Sequence, residues 1–404
     1  MTVNRLGYRQ QETVLRAPEP GDNVVLTLDF KLQRAVEAAL VTSMFGAQTR
    51  GAAVVLDAQN GDVLAMASAP AFEPAEFMGR ISTERWTNVL NHPVQKPMLN
   101  RATQENYHPG SILKMLTGLA ALEMEKLDPK EIFNVEPDLE RPGKGCIHVG
   151  NRKVKDTVAA GPYNFKKALM HSSNSYFIHH ALKPGVLQKM IMLGGKFHLG
   201  ERTGILPRQE TAGEFPDQTD LVRRWQPGDT ANLAIGQGQV SVSPLQVAVM
   251  TAAIANGGKV FWPRLVLRLE PSDPQFGEKP SEFPVRLRDE LGVKPEHLRI
   301  IHEAMLADTQ ETGGTGLEAA VPGLKIGGKT GTAEVERGGH IVDKTTWFSS
   351  FAPVDAPKWV VVVMVESGAS GGKTCAPIAK KIYEALKQRE RDGGQKNATL
   401  ARLN

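Results

Sequence analysis

A tight turn at Asn60-Gly61, between two short apolar runs, is the feature that most constrains the fold. Asn-Gly supplies the positive φ angles that a tight turn between antiparallel strands needs, so the runs 52–56 and 63–67 predict a β-hairpin. Sequential hairpins pair antiparallel strands, so the two ends of the chain are expected to form one sheet with helices packed on it. The strand-like segments near the other end are 324–335, 345–352 and 359–365.

The sequence between these ends is mainly helical. Asp29 is predicted to cap a helix with an apolar residue at every fourth position. Pro244 begins another helix, and a third helical segment runs over 164–182. Residues 127–160 are rich in proline, glycine and charge, and we interpret them as a surface excursion.

Length and composition restrict the class of protein. A chain of 404 residues with 41% hydrophobic and 23% charged residues is typical of a globular protein with one large or two smaller domains. A net charge of +4, without long basic clusters, gives no case for a nucleic-acid partner. Cys146 and Cys375 match no common metal-ligand spacing, which favours two isolated structural cysteines and leaves a disulfide open.

No stretch of the sequence is apolar enough to span a membrane, and the N-terminus lacks the apolar core of a signal peptide. The protein is therefore either cytoplasmic or a catalytic piece without its export or anchor segment. Residues 1–23 are expected to be a linker or the remnant of an N-terminal module, residues 24–390 one domain, and residues 391–404 a disordered tail.

Ser111 and Lys114 are candidates for a nucleophile and its base. The breaker Pro109-Gly110 precedes an apolar stretch that predicts a buried helix with Ser111 in its first turn. Residues three apart share a helix face, and a lysine can take a serine proton only when it is neutral. The helix dipole and apolar surroundings both favour the neutral amine. The alternative is an ordinary helix start with a solvent-facing lysine.

A second Ser-x-x-Lys copy occurs at Ser370 and Lys373. Two glycines separate its ends, and it follows a run of valines. We interpret it as a flexible loop after a strand, which would not fix the two side chains together, and reject it as the catalytic pair.

Ser172 and Asn174 form a second motif, Ser-x-Asn. If they reach the same site, Ser172 could pass a proton between Lys114 and a leaving group, and Asn174 could hydrogen-bond a substrate peptide bond. The alternative is capping or turn formation by serine and asparagine.

The third motif is Lys329-Thr330-Gly331-Thr332. Its glycine would let another chain approach the strand closely, and its lysine and hydroxyls could bind a carboxylate, with the Thr332 N–H directed at an oxyanion. Residues 323–330 also match the phosphate-loop pattern Gly-x-x-x-x-Gly-Lys-Thr, but that loop must open a helix, and the residues after Thr330 favour a strand.

The three motifs in this order are those of penicillin-binding proteins and class A β-lactamases. Over roughly residues 20–388 the chain resembles the transpeptidase domain of class B penicillin-binding proteins. The segments Trp225-Gln226-Pro227-Gly228-Asp229-Thr230 and Ile235-Gly236-Gln237-Gly238 are most similar to the elongation-type, rod-shape members.

This resemblance implies an α/β fold of the α+β type, with an antiparallel five-stranded sheet, helices on both faces and an all-helical subdomain. It implies a serine-type D-Ala-D-Ala transpeptidase that crosslinks peptidoglycan stem peptides and that β-lactams acylate. The implied roles are nucleophile for Ser111, base for Lys114 and proton relay for Ser172. The substrate would be held by Asn174, Lys329, Thr330, Gly331 and Thr332, with the N–H groups of Ser111 and Thr332 as the oxyanion hole.

The resemblance also implies an extracytoplasmic location, a membrane glycosyltransferase and cell-shape proteins as partners, and no metal or organic cofactor. The open alternatives are a β-lactamase or β-lactam sensor on the same fold, a non-catalytic cell-wall scaffold, and a strict carboxypeptidase. The chain departs from the family pattern in lacking a membrane helix and pedestal module, at Arg208 and Cys375, and in the excursion around Cys146.

Overall fold

The protein is described here by a computed structural model that covers residues 2–3, 5–6, 8–11, 21–42, 44–206, 208–223, 225–272, 279–337 and 340–401. The strands are β1 Thr2–Val3, β2 Arg9–Gln11, β3 Asn23–Leu26, β4 Gly51–Asp57, β5 Val63–Ala69, β6 Phe133–Pro137, β7 Gly145–Val149, β8 Arg152–Lys155, β9 Gly161–Tyr163, β10 Lys259–Phe261, β11 Val266–Glu270, β12 Ser281–Glu282, β13 Leu287–Glu290, β14 Gly327–Arg337, β15 His340–Ala352 and β16 Trp359–Glu366. The helices are α1 Phe30–Val41, α2 Thr83–Arg85, α3 Lys114–Glu123, α4 Phe165–His171, α5 Asn174–Ala181, α6 Val186–Lys196, α7 Gln218–Arg223, α8 Pro227–Ala234, α9 Pro244–Ala255, α10 Pro295–Gln310 and α11 Ala376–Ala401.

The two ends of the chain form one antiparallel sheet of five strands, in the order β14-β15-β16-β4-β5. The Asn60-Gly61 turn joins β4 to β5, and Gly61 has the positive φ, +78°, that the turn requires. Pairing of Val361 in β16 with Val55 in β4 brings the end of the chain against its front. The predicted sheet and fold class are therefore confirmed.

Helices cover both faces of this sheet because alternate residues of its buried strands point in opposite directions. Val361 and Val363 pack in one apolar cluster with α1 and α11, whereas Val360 and Val362 pack in another with α9. All twelve residues of α9 are buried, as expected for a helix that is apolar all round. The predicted cap of α1 is also present, with the Asp29 carboxylate accepting from Leu32 N at 3.0 Å.

The middle of the chain is helical, but it also contains a four-stranded antiparallel sheet in the order β8-β7-β6-β9. Strands β6 to β8 lie within the stretch interpreted as an excursion, and β9 follows it directly, so the predicted all-helical subdomain contains a sheet as well. Its strands are only three to five residues long and are separated by glycine and proline, which masked the period-2 pattern in the sequence.

The chain divides into two compact units, Met1–Thr27 with Val266–Pro284 and Leu28–Leu265 with Val285–Asn404. The first contains the β1–β2 pair and a three-stranded sheet in the order β12-β11-β3. The second contains all the motifs identified above. The predicted linker 1–23 therefore includes short strands, although residues 12–20 lie outside the described residues.

The last helix, α11, extends to Ala401, so the tail predicted as disordered from residue 391 is helical up to that residue. The sequence has no proline after Arg391, so this helix breaker does not end α11 there. The boundaries at 24 and 390 stay predictions. Cys146 and Cys375 are free and buried, which confirms the favoured interpretation of two isolated cysteines. Across the described residues, no helix combines the length and apolar character needed to cross a membrane.

Candidate active site

The turn that carries Ser111 lies directly against β14. It is a short 3₁₀ turn, Gly110–Leu113, from which α3 continues. Gly110 has a φ of +55°, and a Cβ atom there would lie 2.9 Å from the carbonyl oxygen of Thr332. Only glycine fits this approach. Half-buried Ser111 is thereby placed next to the third motif.

Lys114 is completely buried and joins the first motif to the second. Its Nζ lies 2.7 Å from the carbonyl oxygen of Ser172, 2.7 Å from Asn174 Oδ1 and 3.3 Å from Ser172 Oγ. The two short contacts are to oxygens that can only accept, and the long one is to a hydroxyl that can also donate. Lys114 Nζ donates to the two oxygens that only accept and can exchange a proton with the Ser172 hydroxyl, so this set accommodates both the charged and the neutral amine.

The electrostatics around Lys114 favour that neutral form. Burial lowers the pKa of Lys114 well below its usual value, and the positive charge of Lys329 lowers it further. The negative charge of Asp156 acts in the opposite direction and does not outweigh them. The pKa of Lys114 is thus shifted in the direction that a general base needs.

Ser172 lies at a break between two helices, not within one helix as the segment 164–182 suggested. It has a left-handed φ of +65° between α4 and α5, and the Ser173 hydroxyl caps α5 by accepting from Tyr176 N. Helical periodicity continues across the break, which is why the sequence pattern missed it. The break turns the carbonyl and hydroxyl of Ser172 toward Lys114.

Asp156 holds this break in place, and the sequence analysis did not identify it. Its carboxylate accepts from Ser173 Oγ at 2.8 Å, Asn174 N at 2.8 Å and Ser175 N at 2.7 Å. Burial acts to raise the pKa of Asp156, but the charge of Lys114 and the N–H donors leave it below its usual value. Its partners lie 17 to 19 residues further along the chain, so no local motif marks it.

The third motif lies on β14, where Lys329 is completely buried and its Nζ donates to the carbonyl oxygen of Thr330 at 3.0 Å. Burial lowers the pKa of Lys329 to about 8. A Cβ atom on Gly331 would lie 2.9 Å from Ile112 Cγ1, so the turn that carries Ser111 approaches the strand closely at this glycine. Because β14 is a strand, the phosphate-loop alternative is excluded.

The stretch before the nucleophile is also tied to the central sheet. Arg101, with 1% of its surface exposed, donates from Nε to Glu366 Oε1 at 2.8 Å. The Tyr107 hydroxyl donates to the same oxygen at 3.0 Å, and Trp347 Nε1 donates to the carbonyl of His108 at 3.0 Å. The turn that bears Ser111 is thus held from behind by β15 and β16.

The structure brings the three motifs together. Lys114 is hydrogen-bonded to Ser172 and Asn174, the Ser111 turn lies against the Thr332 backbone, and the charge of Lys329 lowers the pKa of Lys114. The Ser111 hydroxyl itself makes no hydrogen bond within the described part of the chain. The individual roles of these residues stay predictions.

Comparison with known proteins agrees with this arrangement. Residues 51–384 match the family described as the penicillin binding protein transpeptidase domain. The chain belongs to this family. The peptidoglycan D,D-transpeptidase MrdA of Haemophilus influenzae is 31% identical over 401 residues, which is 95% of this chain and 59% of the relative. The chain therefore spans less than two thirds of this family member.

Solved structures of other penicillin-binding proteins have the same fold. PBP2 of Pseudomonas aeruginosa, in complex with WCK 5153, is 30% identical with a TM-score of 0.74, over 91% of this chain and 79% of that chain. PBP3 of Mycobacterium tuberculosis, complexed with ampicillin, is 30% identical with a TM-score of 0.76, over 94% of this chain and 81% of that chain.

Proposed function

We propose that the chain is the catalytic part of a peptidoglycan D,D-transpeptidase, which crosslinks stem peptides through a serine acyl-enzyme and is acylated by β-lactams. The observation that supports this most is the buried Lys114 amine, held by Ser172 and Asn174 beside the turn that carries Ser111. Membership of the family and the ampicillin complex of a relative support the same chemistry.

In the acylation step, Ser111 Oγ attacks the carbonyl carbon of the penultimate D-alanine, and the hydroxyl proton moves to the neutral amine of Lys114. The N–H groups of Ser111 and Thr332 stabilise the oxyanion. The C–N bond then breaks, the proton passes from Lys114 through Ser172 to the leaving nitrogen, and D-alanine departs. Deacylation reverses these transfers, with an amine of a neighbouring stem as the nucleophile.

Substrate binding uses the groups around this centre. Asn174 holds the amide of the stem peptide, and the terminal carboxylate lies against Lys329, Thr330, Gly331 and Thr332. A lysine charge is a strong partner for a carboxylate at a site from which water is excluded, and Lys329 is completely buried before the substrate binds.

Penicillin labelling followed by intact-protein mass spectrometry and peptide mapping tests the proposal. We expect one adduct, on the peptide that contains Ser111, with a lifetime long enough to isolate it. Rapid release of hydrolysed drug would instead indicate a β-lactamase, and an adduct elsewhere would contradict the site. With a stem-peptide donor, transfer to an added amine separates a transpeptidase from a carboxypeptidase, which uses water.

We place the enzyme in cell elongation, on the extracytoplasmic side of the membrane, with a membrane glycosyltransferase and cell-shape proteins as partners. The segments around Trp225 and Gly236 and the similarity to MrdA support this assignment. Loss of rod shape on depletion of the protein would agree with it, whereas a block in division alone would contradict it.

A further inference from the structure

Asp308 occupies an unfavourable position for a carboxylate. It lies in the last turn of α10 and is completely buried, and both the negative end of the helix dipole and the loss of water oppose its charge. Its Oδ2 has no hydrogen-bond partner among the residues that the structure describes. A carboxylate in this position requires compensation from nearby groups.

Lys329 supplies the opposite charge. It lies on β14, against which α10 packs, and it is as deeply buried as Asp308. Burial raises the pKa of Asp308, the positive charge of Lys329 acts against that rise, and the Asp308 charge acts to raise the pKa of Lys329. Each therefore supports the ionised form of the other.

A chain of hydroxyl groups also joins Asp308 to the same strand. Asp308 Oδ1 accepts from Thr315 N at 2.8 Å and from Thr315 Oγ1 at 2.6 Å. Thr315 Oγ1 lies 2.5 Å from Thr330 Oγ1. An ionised carboxylate can only accept, so Thr315 donates to Asp308 and Thr330 donates to Thr315. These bonds fix the position of the Thr330 side chain and commit its hydroxyl proton to Thr315, so Thr330 contributes to a carboxylate site through its place in the strand and not through that proton.

We infer that Asp308 is a positioning residue for the carboxylate-binding strand, acting on Lys329 through its charge and on Thr330 through the hydroxyl of Thr315. The inference rests on the proposed function of Lys329 and Thr330. Neither Asp308 nor Thr315 belongs to any of the three motifs, and Asp308 precedes Lys329 by 21 residues (329 minus 308).

The charge of Asp308 and the hydroxyl group of Thr315 should affect the acylation rate in different ways, so an experiment can separate them. Asp308 on α10 acts on the pKa of Lys329 through its charge, and Lys114 on α3 is a further titratable group, whose own pKa responds to the charge of Lys329. Burial already lowers the pKa of Lys329 to about 8, and Asp308 opposes that shift. Removing the Asp308 charge should make Lys329 lose its proton at lower pH. Removing the Thr315 hydroxyl should weaken substrate binding without changing that pH.

The experiment measures the second-order rate of acylation by benzylpenicillin between pH 6 and 10 for the wild type, Asp308→Asn and Thr315→Val. Asparagine keeps the accepting oxygen and removes the charge. We expect Asp308→Asn to react within about threefold of the wild-type rate at pH 6. The alkaline fall of its pH–rate profile should begin about 1 pH unit lower, so that its rate at pH 9 is about tenfold below that of wild type. Thr315→Val should be about fivefold slower at every pH, with the alkaline fall unmoved. The matched control is Asp57→Asn, a carboxylate at the end of β4, which should match wild type.

The inference is overturned if the pH–rate profile of Asp308→Asn superimposes on that of wild type. It is also overturned if Thr315→Val shifts the alkaline fall of the rate by the same amount as Asp308→Asn. Thermal stability gives a readout that does not depend on catalysis. The pKa of Lys329 is lower in the folded than in the unfolded state, so the free energy of unfolding rises with pH between about 8 and 10.5. In Asp308→Asn this rise should begin at a lower pH. If wild type does not react with penicillin at all, the proposed function fails, and the thermal comparison still decides the role of Asp308.

Discussion

The two Ser-x-x-Lys copies share a sequence pattern and a local setting, and both lie against β14, where Gly371 N donates to Thr332 Oγ1 at 3.4 Å. Ser111 is in the turn that opens α3, and Ser370 caps the turn Gly371–Cys375 that opens α11. The second copy was interpreted as a flexible loop, and that interpretation was wrong, because it begins a helix. Local structure therefore does not separate the two copies.

The two copies differ in the burial of their lysine and in the hydrogen-bond partners of that lysine. The Ser370 hydroxyl accepts from Lys373 N at 3.2 Å and serves as a cap, and the Lys373 side chain is exposed. Lys114 has no exposed surface and is bonded to Ser172 and Asn174. A lysine in water keeps its charge and cannot act as a base near neutral pH, whereas a buried one can. The tertiary environment, and not the local structure, therefore distinguishes Lys114 from Lys373.

The largest expected effect is that of Ser111→Ala. It should abolish covalent labelling by penicillin, because the attacking oxygen is gone, and leave the thermal transition nearly unchanged. Ser370→Ala is the matched control and should label fully. Intact-protein mass spectrometry reads both, and an adduct that persists in Ser111→Ala but disappears in Ser370→Ala would reverse the assignment.

Replacing the lysines should give the next largest difference. Lys114→Ala removes the base and should lower the acylation rate by about 10³-fold. Lys114→Met, which keeps most of the buried volume, should lose as much, while Lys373→Ala should stay within about twofold of wild type. Stopped-flow kinetics with a chromogenic β-lactam measures these rates. Equal losses for Lys114→Met and Lys373→Ala would show that burial does not distinguish the copies.

Asp156→Ala tests the carboxylate that holds the Ser172 turn beside Lys114. It leaves buried donors at Ser173, Asn174 and Ser175 without an acceptor, so the free energy of unfolding should fall by about 3 kcal/mol. Urea denaturation measures this loss, and acylation should slow as the Ser172 turn loosens. Asp355→Ala, at an exposed ion pair with Lys325, is the control and should leave stability unchanged. A stable Asp156→Ala enzyme with normal rates would contradict the anchoring role.

The pH dependence of acylation gives the smallest and most graded effect. Burial and the charge of Lys329 lower the pKa of Lys114, so we expect its neutral amine to act as a base at neutral pH. At lower pH the amine becomes protonated, and the acylation rate should then fall about tenfold per pH unit. On the alkaline side the rate should fall above about pH 8, as Lys329 loses its charge. Lys373→Ala should give the same profile. A rate that rises only near pH 10 would indicate an unperturbed lysine.

Much of the fold follows from local patterns. The Asn60-Gly61 turn, the continuous apolar run of β16 and the Asp29 cap each have a short-range physical cause, and each is present in the structure. The break at Ser172 and the short strands β6 to β9 were missed. A left-handed residue stabilised by a distant carboxylate, and strands of three to five residues, leave no periodic signal.

The order and chemistry of the three motifs were determined by the sequence alone, because the residue types needed for a nucleophile, a base and a carboxylate site can be read without coordinates. Only the tertiary structure decided which lysine is buried and which acids lie close to it. A pKa depends on burial and on charges brought close by folding, and Asp156 and Asp308 reach Lys114 and Lys329 through space, from other helices and strands.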